Sequence, residues 1–246
     1  MSDLPLISIL TPIFNRSKWL PLMMYNLQNL DYPKDKLEWC ILDTHDNKSV
    51  AWDKLFKNKK EILDCQNKIG IKINYQTNDN SYTIGDKRNK LVKQSSYKIC
   101  ANMDSDDAYL PPWLKHSIEI MNSDKKCSLV GTTEMSFVFP LLDWKITAIC
   151  CKDIKMAHEA CMLFTKKHWS SMGGFGRKSS NEGFGMIEHN ENKCLRSKAD
   201  KCIICVCHTE NTICKDRFAD KTNENVKLAG PIKDVISSIL FEKIEI

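Results

Sequence analysis

The sequence predicts an α/β fold, a sheet of parallel strands joined by right-handed helical crossovers. Three observations predict it. Apolar β-rich runs alternate with helical patterns through the first third of the chain. The connections between them are short. Clusters of polar and acidic residues follow the strand ends, where such sheets bind ligands: Asn15-Arg16, Asp43-Thr44-His45-Asp46 and Asp104-Ser105-Asp106-Asp107.

The elements follow in order. Leu6 to Phe14 is the first apolar run. Ser17 reads as an N-cap for a helix carrying Trp19, Leu20, Met23, Leu27 and Leu30, which Tyr32-Pro33 ends. Leu37 to Leu42 is a second strand. Val50 to Cys65 reads as a helix with Ala51, Leu55, Ile62 and Leu63 inward. Ile71 to Tyr75 is a third strand, Ile84 to Ser95 a helix, and Tyr97 to Met103 a fourth strand. The second half is less regular. Ser128 to Phe139, Trp144 to Cys151 and Ala160 to Phe164 read as strands. The Gly-rich loop Gly173 to Gly176, a helix near 185–197 and a Cys-rich strand follow. The last helix places Ile232, Val235, Ile236, Ile239 and Leu240 on one face.

Composition excludes several classes. Of 246 residues, 42% are hydrophobic and 27% charged, which rules out collagen-like, coiled-coil and disordered chains. No apolar run approaches the roughly 18 to 20 residues of a membrane span. The net charge of +5, without a concentrated basic patch, argues against a nucleic-acid partner. Most of the 12 cysteines lie inside apolar segments, and no basic region precedes the first apolar stretch. Both features predict reduced thiols and a cytoplasmic location. Cys202-x-x-Cys205-x-Cys207-His208 has metal-like spacing, but its alternation with Ile203, Ile204 and Val206 reads as a buried strand.

Asp104-Ser105-Asp106-Asp107 is the strongest chemical signal. Three carboxylates within four residues repel one another, and a divalent cation with a preference for oxygen ligands relieves that repulsion. The alternative is an acidic turn leading into the helix started by Pro111 and Pro112. No Gly-x-Gly-x-x-Gly follows the first strand, and Gly173 to Ser179 lacks the phosphate-loop spacing. Dinucleotide and phosphate-loop enzymes are thereby disfavoured.

Several segments resemble family 2 glycosyltransferases of the GT-A fold, in the family's order. They are Ile7 to Arg16, Leu42 to Asp46, Gly85-Asp86-Lys87-Arg88-Asn89, Asp104 to Asp107 with Pro111 and Leu114, and Met172-Gly173-Gly174-Phe175. The resemblance implies a Rossmann-like mixed sheet flanked by helices, in one GT-A domain over 1–246. Its nucleotide-binding half spans about 1–110 and its acceptor half about 111–229, with the C-terminal helix over about 230–246. It implies an enzyme of the hexosyl- or N-acetylhexosaminyl-transferase class. Such an enzyme moves a sugar, with inversion, from a UDP-sugar donor to the hydroxyl of a glycan, protein or small-molecule acceptor. Mn2+ or Mg2+ is the implied cofactor.

The resemblance also implies roles. Asp43 accepts a hydrogen bond from the uracil imide, and Thr11 and Pro12 shape the base and ribose pocket. Arg88 and Ser105 stand near the nucleotide. Asp104 holds ribose or metal, Asp106 ligates the metal, and His208 completes the metal site. The family places its general base in a Glu-Asp pair. Glu182 matches the first acid, Gly183 replaces the second, and Glu188 is the reserve. His158-Glu159 reads as a turn before a strand, and Trp113, Trp144 and Trp169 as core; none is assigned a role. A non-catalytic GT-A-like binding subunit and a sugar-phosphate nucleotidyltransferase remain as alternatives. The sequence does not tell the oligomeric state.

Overall fold

The computed structural model describes residues 4–45, 51–220 and 230–241. In chain order its elements are β1 (Ile7–Phe14), α1 (Leu20–Asn29), β2 (Leu37–Thr44), α2 (Lys59–Ile69), β3 (Lys72–Asn78), α3 (Ile84–Gln94), β4 (Ile99–Asn102), β5 (Ala108–Tyr109), α4 (Trp113–Ser123), β6 (Leu129–Thr132), β7 (Glu134–Phe139), β8 (Lys145–Cys150), β9 (Leu163–Thr165), α5 (Lys166–Ser171), β10 (Cys194–Ser197), β11 (Ile203–Val206) and α6 (Gly230–Phe241). A seven-stranded sheet runs β10-β6-β9-β4-β1-β2-β3, and a four-stranded sheet runs β5-β11-β7-β8. In the larger sheet β1, β2, β3 and β4 are parallel, while β9 is antiparallel to β4 and β6. The sheet is therefore mixed.

The central strand shows why the apolar runs become strands. Ile7, Ile9, Leu10 and Ile13 of β1 are all buried, because helices cover both faces of a parallel sheet. Because β1, β2 and β4 run the same way, their polar C-terminal ends emerge on one edge. The C-terminal helix α6 buries Ile232 and Ile236 in the chain's own core beside α1.

Four expectations are corrected. Ser17 does not cap α1; it starts a short 3-10 turn and donates its hydroxyl to the Asp53 carboxylate. The second helix, expected over Val50 to Cys65, runs over Lys59–Ile69; Val50 itself lies outside the described residues. Asn58 caps it by accepting the Glu61 amide, and the Glu61 carboxylate accepts the Lys57 amide at 2.7 Å. The shift leaves Leu55 buried in a loop and Leu63 54% exposed. The strand expected over Ser128 to Phe139 is two strands in different sheets. Thr132 Oγ1 accepts the Glu134 amide and donates to the Glu134 carbonyl, a local turn that breaks the run. The helix expected near 185–197 is two 3-10 turns and β10, which pairs with β6. Gly183, Gly185 and the positive φ of His189 oppose a continuous helix there.

Glu38 ties the sheet together where its strands begin. Its carboxylate is 1% exposed and accepts from Ser8 Oγ at 2.6 Å, from Ser96 Oγ at 2.8 Å and from the Ser96 amide. Burial raises its pKa, but these hydrogen bonds outweigh burial and hold it below the ordinary glutamate value. A depressed carboxylate stabilises the fold above its unfolded pKa and loses that contribution as pH falls through the folded one. Glu38→Gln is expected to cost about 1 to 3 kcal/mol at neutral pH, with the difference narrowing in acid. Urea denaturation at both pH values measures it; an unchanged midpoint at neutral pH contradicts the reading.

Candidate active site

The acidic segment after β4 is built by its surroundings. The Met103 amide continues the pairing with β1 by donating to the Leu10 carbonyl at 2.9 Å. The Asp104 amide donates to Tyr109 Oη at 2.7 Å, and Tyr109 Oη donates to the Ala160 carbonyl at 2.7 Å. Asp107 turns inward, its Oδ1 accepting the Val206 amide of β11 at 3.1 Å. Asp104 and Asp106, with Asp107 beside them, line a cavity of about 440 Å³.

Two sets of charges hold these acids. Arg88, on α3, is 2% exposed and donates from Nη2 to Asp104 Oδ1 at 2.8 Å and from Nε to Glu182 Oε1 at 3.0 Å. Thr83 caps α3 by accepting the Asp86 amide, which fixes where Arg88 emerges. Asp106 Oδ2 lies 3.1 Å from His208 Nε2 and 3.6 Å from Arg16 Nε. Arg16 also pairs with Glu210 at 3.2 Å. His208 Nδ1 accepts the Glu210 amide at 3.2 Å, which leaves Nε2 as the ring nitrogen that donates to Asp106. The His208 ring packs on Trp19 at 4.5 Å.

The titrations follow. Burial raises the Asp104 carboxyl; the Arg88 charge opposes this, but repulsion from Asp106 and Glu182 leaves it above the ordinary range. Burial also raises Asp107, helped by the charges of Asp106 and Asp104. Asp106 lies below the ordinary range, because the His208 hydrogen bond and the Arg16 charge outweigh its burial.

The cavity draws residues from both halves of the chain. Arg88, Asp104 and Asp106 line it with His158, Glu159 and Glu182. Glu159 Oε1 accepts the Gly183 amide at 3.1 Å. Burial, then the Lys215 and Arg88 charges, push His158 down to about 3, so its imidazole is neutral.

Of the residues expected at the site, Arg88, Asp104, Asp106 and Glu182 meet at this cavity, and His208 stands behind Asp106. Ser105 is buried and does not line it, and neither does the half-buried Glu188. Thr11, Pro12 and Asp43 form a separate group at the ends of β1 and β2. Thr11 Oγ1 accepts from Trp39 Nε1 at 2.8 Å. Asp43 Oδ2 accepts from Tyr75 Oη at 2.7 Å and the Leu55 amide at 2.9 Å, and its Oδ1 from Trp52 Nε1 at 3.3 Å. Trp52 stacks on His45 at 5.6 Å. Asp46 lies outside the described residues. Sequence reasoning placed Arg16 at a strand end and Glu159 in a turn without giving either a role, and it missed Trp52, Tyr75 and Glu210. Trp52 and Tyr75 carry no motif signal beyond their residue type, and Glu210 meets Arg16 only through the fold.

A mixed sheet with paired aspartates at the C-terminal edge of its central strands is the arrangement of the GT-A fold. The chain belongs to glycosyl transferase family 2, whose model matches residues 8–204. Solved structures share the fold. S. aureus TarS is 17% identical with a TM-score of 0.58, over 82% of this chain and 36% of TarS. TarS 1–349 in complex with UDP-GlcNAc is 13% identical with a TM-score of 0.61, over 95% of this chain and 65% of that one. Mannosyltransferase PcManGT from Pyrobaculum calidifontis, in complex with GDP-Man and Mn2+, is 12% identical with a TM-score of 0.62, over 97% and 70%. The chain thus spans about a third of the length of TarS. A sequence search among curated proteins finds no match. Among the described residues, no helix is long and apolar enough to cross a membrane.

Proposed function

We propose that this glycosyltransferase moves a hexosyl or N-acetylhexosaminyl group from a UDP-sugar to an acceptor hydroxyl, with inversion and with Mn2+ or Mg2+ bound. The observation that carries the reading is the pair Asp104 and Asp106 facing one cavity, each already oriented through one oxygen by a buried cation or ring N–H. The donor chemistry fits a divalent cation. Both ligands are hard carboxylate oxygens, and their mutual repulsion is what a cation offsets. Among the described residues no three His, Cys, Asp or Glu side chains gather into a complete cage. Two carboxylates completed by diphosphate oxygens suit that geometry. When bound, the cation supplies Lewis-acid stabilisation of the departing diphosphate.

The chain's own residues do the rest. Arg88 lines the cavity, and its Nη1 has no partner among the described residues, leaving one guanidinium donor for a phosphate oxygen. His208 positions Asp106; ligation through Nε2 would require the ring to give up the Glu210 amide. Asp43 Oδ1 accepts a ring N–H from Trp52, the donor type that a uracil imide presents. A base seated on Asp43 takes the place of that indole. TarS 1–349 holds UDP-GlcNAc and PcManGT holds GDP-Man with Mn2+, which supports a nucleotide-sugar donor here.

Calorimetric titration with UDP and GDP, each with and without Mn2+, tests this. UDP binding that needs Mn2+ is expected. Failure to bind either nucleotide would favour a non-catalytic binding subunit. A panel of UDP-sugars, scored by UDP release, then identifies the donor.

A further inference from the structure

We propose that the general base of the transfer is Glu159, reaching the cavity from the turn before β9, with Gly183 leaving the space it occupies. This rests on the transfer reading above.

The two glutamates at the cavity have different partners. Glu182 gives Oε1 to Arg88 Nε at 3.0 Å, and the same guanidinium holds Asp104. The Glu182 side chain is 5% exposed and committed to that guanidinium. Its position suits a residue that orders Arg88. Glu159 gives Oε1 to a neutral partner, the Gly183 amide, at 3.1 Å.

Space connects Glu159 with position 183. A Cβ at Gly183 would fall 2.6 Å from Glu159 Cγ and 2.9 Å from Met162 Cε. The φ of −82° at Gly183 is open to any residue, so close approach is what requires glycine. No side chain can stand at 183 while Glu159 stays in place. The position that lacks an acid in the sequence is thus where a carboxylate from another element arrives.

The backbone of Glu159 is fixed beside the metal-binding acids. It begins a 3-10 turn, Glu159–Cys161, capped by His158 Nδ1, which accepts the Ala160 amide. Its carbonyl accepts from Asn102 Nδ2 at 2.9 Å, at the end of β4 and two residues before Asp104. Burial, then the Glu182 charge, holds the Glu159 carboxyl above the ordinary range, which favours a base.

The step balances. The acceptor O–H bond breaks and its proton passes to the Glu159 carboxylate. The acceptor oxygen bonds the anomeric carbon, and the bond from that carbon to the diphosphate oxygen breaks. The electron pair leaves with UDP, and Glu159 returns its proton to solvent.

The test uses the full chain with Mn2+ and UDP-GlcNAc, UDP-glucose or UDP-galactose, whichever the wild type turns over, with UDP release to water or acceptor as the rate. Glu159→Gln should bind UDP with Mn2+ within about threefold of wild type and lose roughly 100-fold or more in turnover. Glu182→Gln should instead weaken UDP binding. If Glu159→Gln does not fold, Glu159→Asp keeps the charge with the carboxylate drawn back, and its turnover should fall about tenfold or more. Near wild-type turnover in Glu159→Gln or Glu159→Asp overturns the assignment. So does a loss of UDP binding as large as the loss of turnover. A wild type that neither binds nor releases UDP overturns the transfer reading itself, and is told apart by the unmutated chain.

Discussion

Arg88→Ala is expected to cost about 3 to 5 kcal/mol of stability, the scale for removing one partner of a buried ion cluster. The guanidinium is 2% exposed and is the shared counter-charge of Asp104 and Glu182. Without it, two carboxylates from opposite halves of the chain face each other across the cavity with no cation between them. Arg88→Lys should recover little, because one ammonium cannot reproduce the fork that reaches two carboxylates. The double variant Arg88→Ala with Glu182→Gln should recover part of the loss by removing one stranded charge. Urea denaturation of the three variants measures this. A midpoint for Arg88→Ala close to wild type would mean that water, rather than Arg88, solvates these acids.

Legibility in the sequence followed the range of the interactions. The β1 run and α3 were readable because their causes are local: continuous apolar residues in one case, Thr83 capping in the other. The start of α2 was missed because the Asn58–Glu61 cap outweighs an apolar pattern that begins eight residues earlier. The split of Ser128 to Phe139 turns on one Thr132 hydroxyl, which periodicity does not register. At the site, Asp104 and Asp106 announced themselves by charge density. Their partners did not. Arg16 meets Glu210 across 194 positions of sequence, and Glu182 meets Arg88 across 94. Glu159 looked like a turn residue, which it is; only the fold shows that this turn opens on the cavity. Asp43 was readable as a buried acceptor at a strand end, but nothing local showed that Trp52, Tyr75 and the Leu55 amide already fill it.

Asp106→Ala is expected to reduce Mn2+-dependent UDP binding by about 100-fold or more, near 3 kcal/mol, while the chain stays folded. The fold should tolerate it because Asp106 holds no backbone group of the core. Among the described residues its side chain pairs with Arg16, which keeps Glu210 at 3.2 Å, and with His208, whose ring stays packed on Trp19. The stability cost is then that of one unpaired buried N–H on His208, about 1 to 3 kcal/mol. Asp106→Asn separates charge from packing. Its amide oxygen can still accept from His208 Nε2, so stability should recover while metal-dependent binding does not. His208→Ala separates ligand from support. A residue that only orients Asp106 should cost roughly 10- to 100-fold in metal affinity, less than loss of the carboxylate itself. Equal losses from His208→Ala and Asp106→Ala would make the imidazole a ligand in its own right, with the Glu210 amide contact given up when metal binds. Unchanged UDP and Mn2+ affinity in Asp106→Ala would remove the metal from this edge of the sheet.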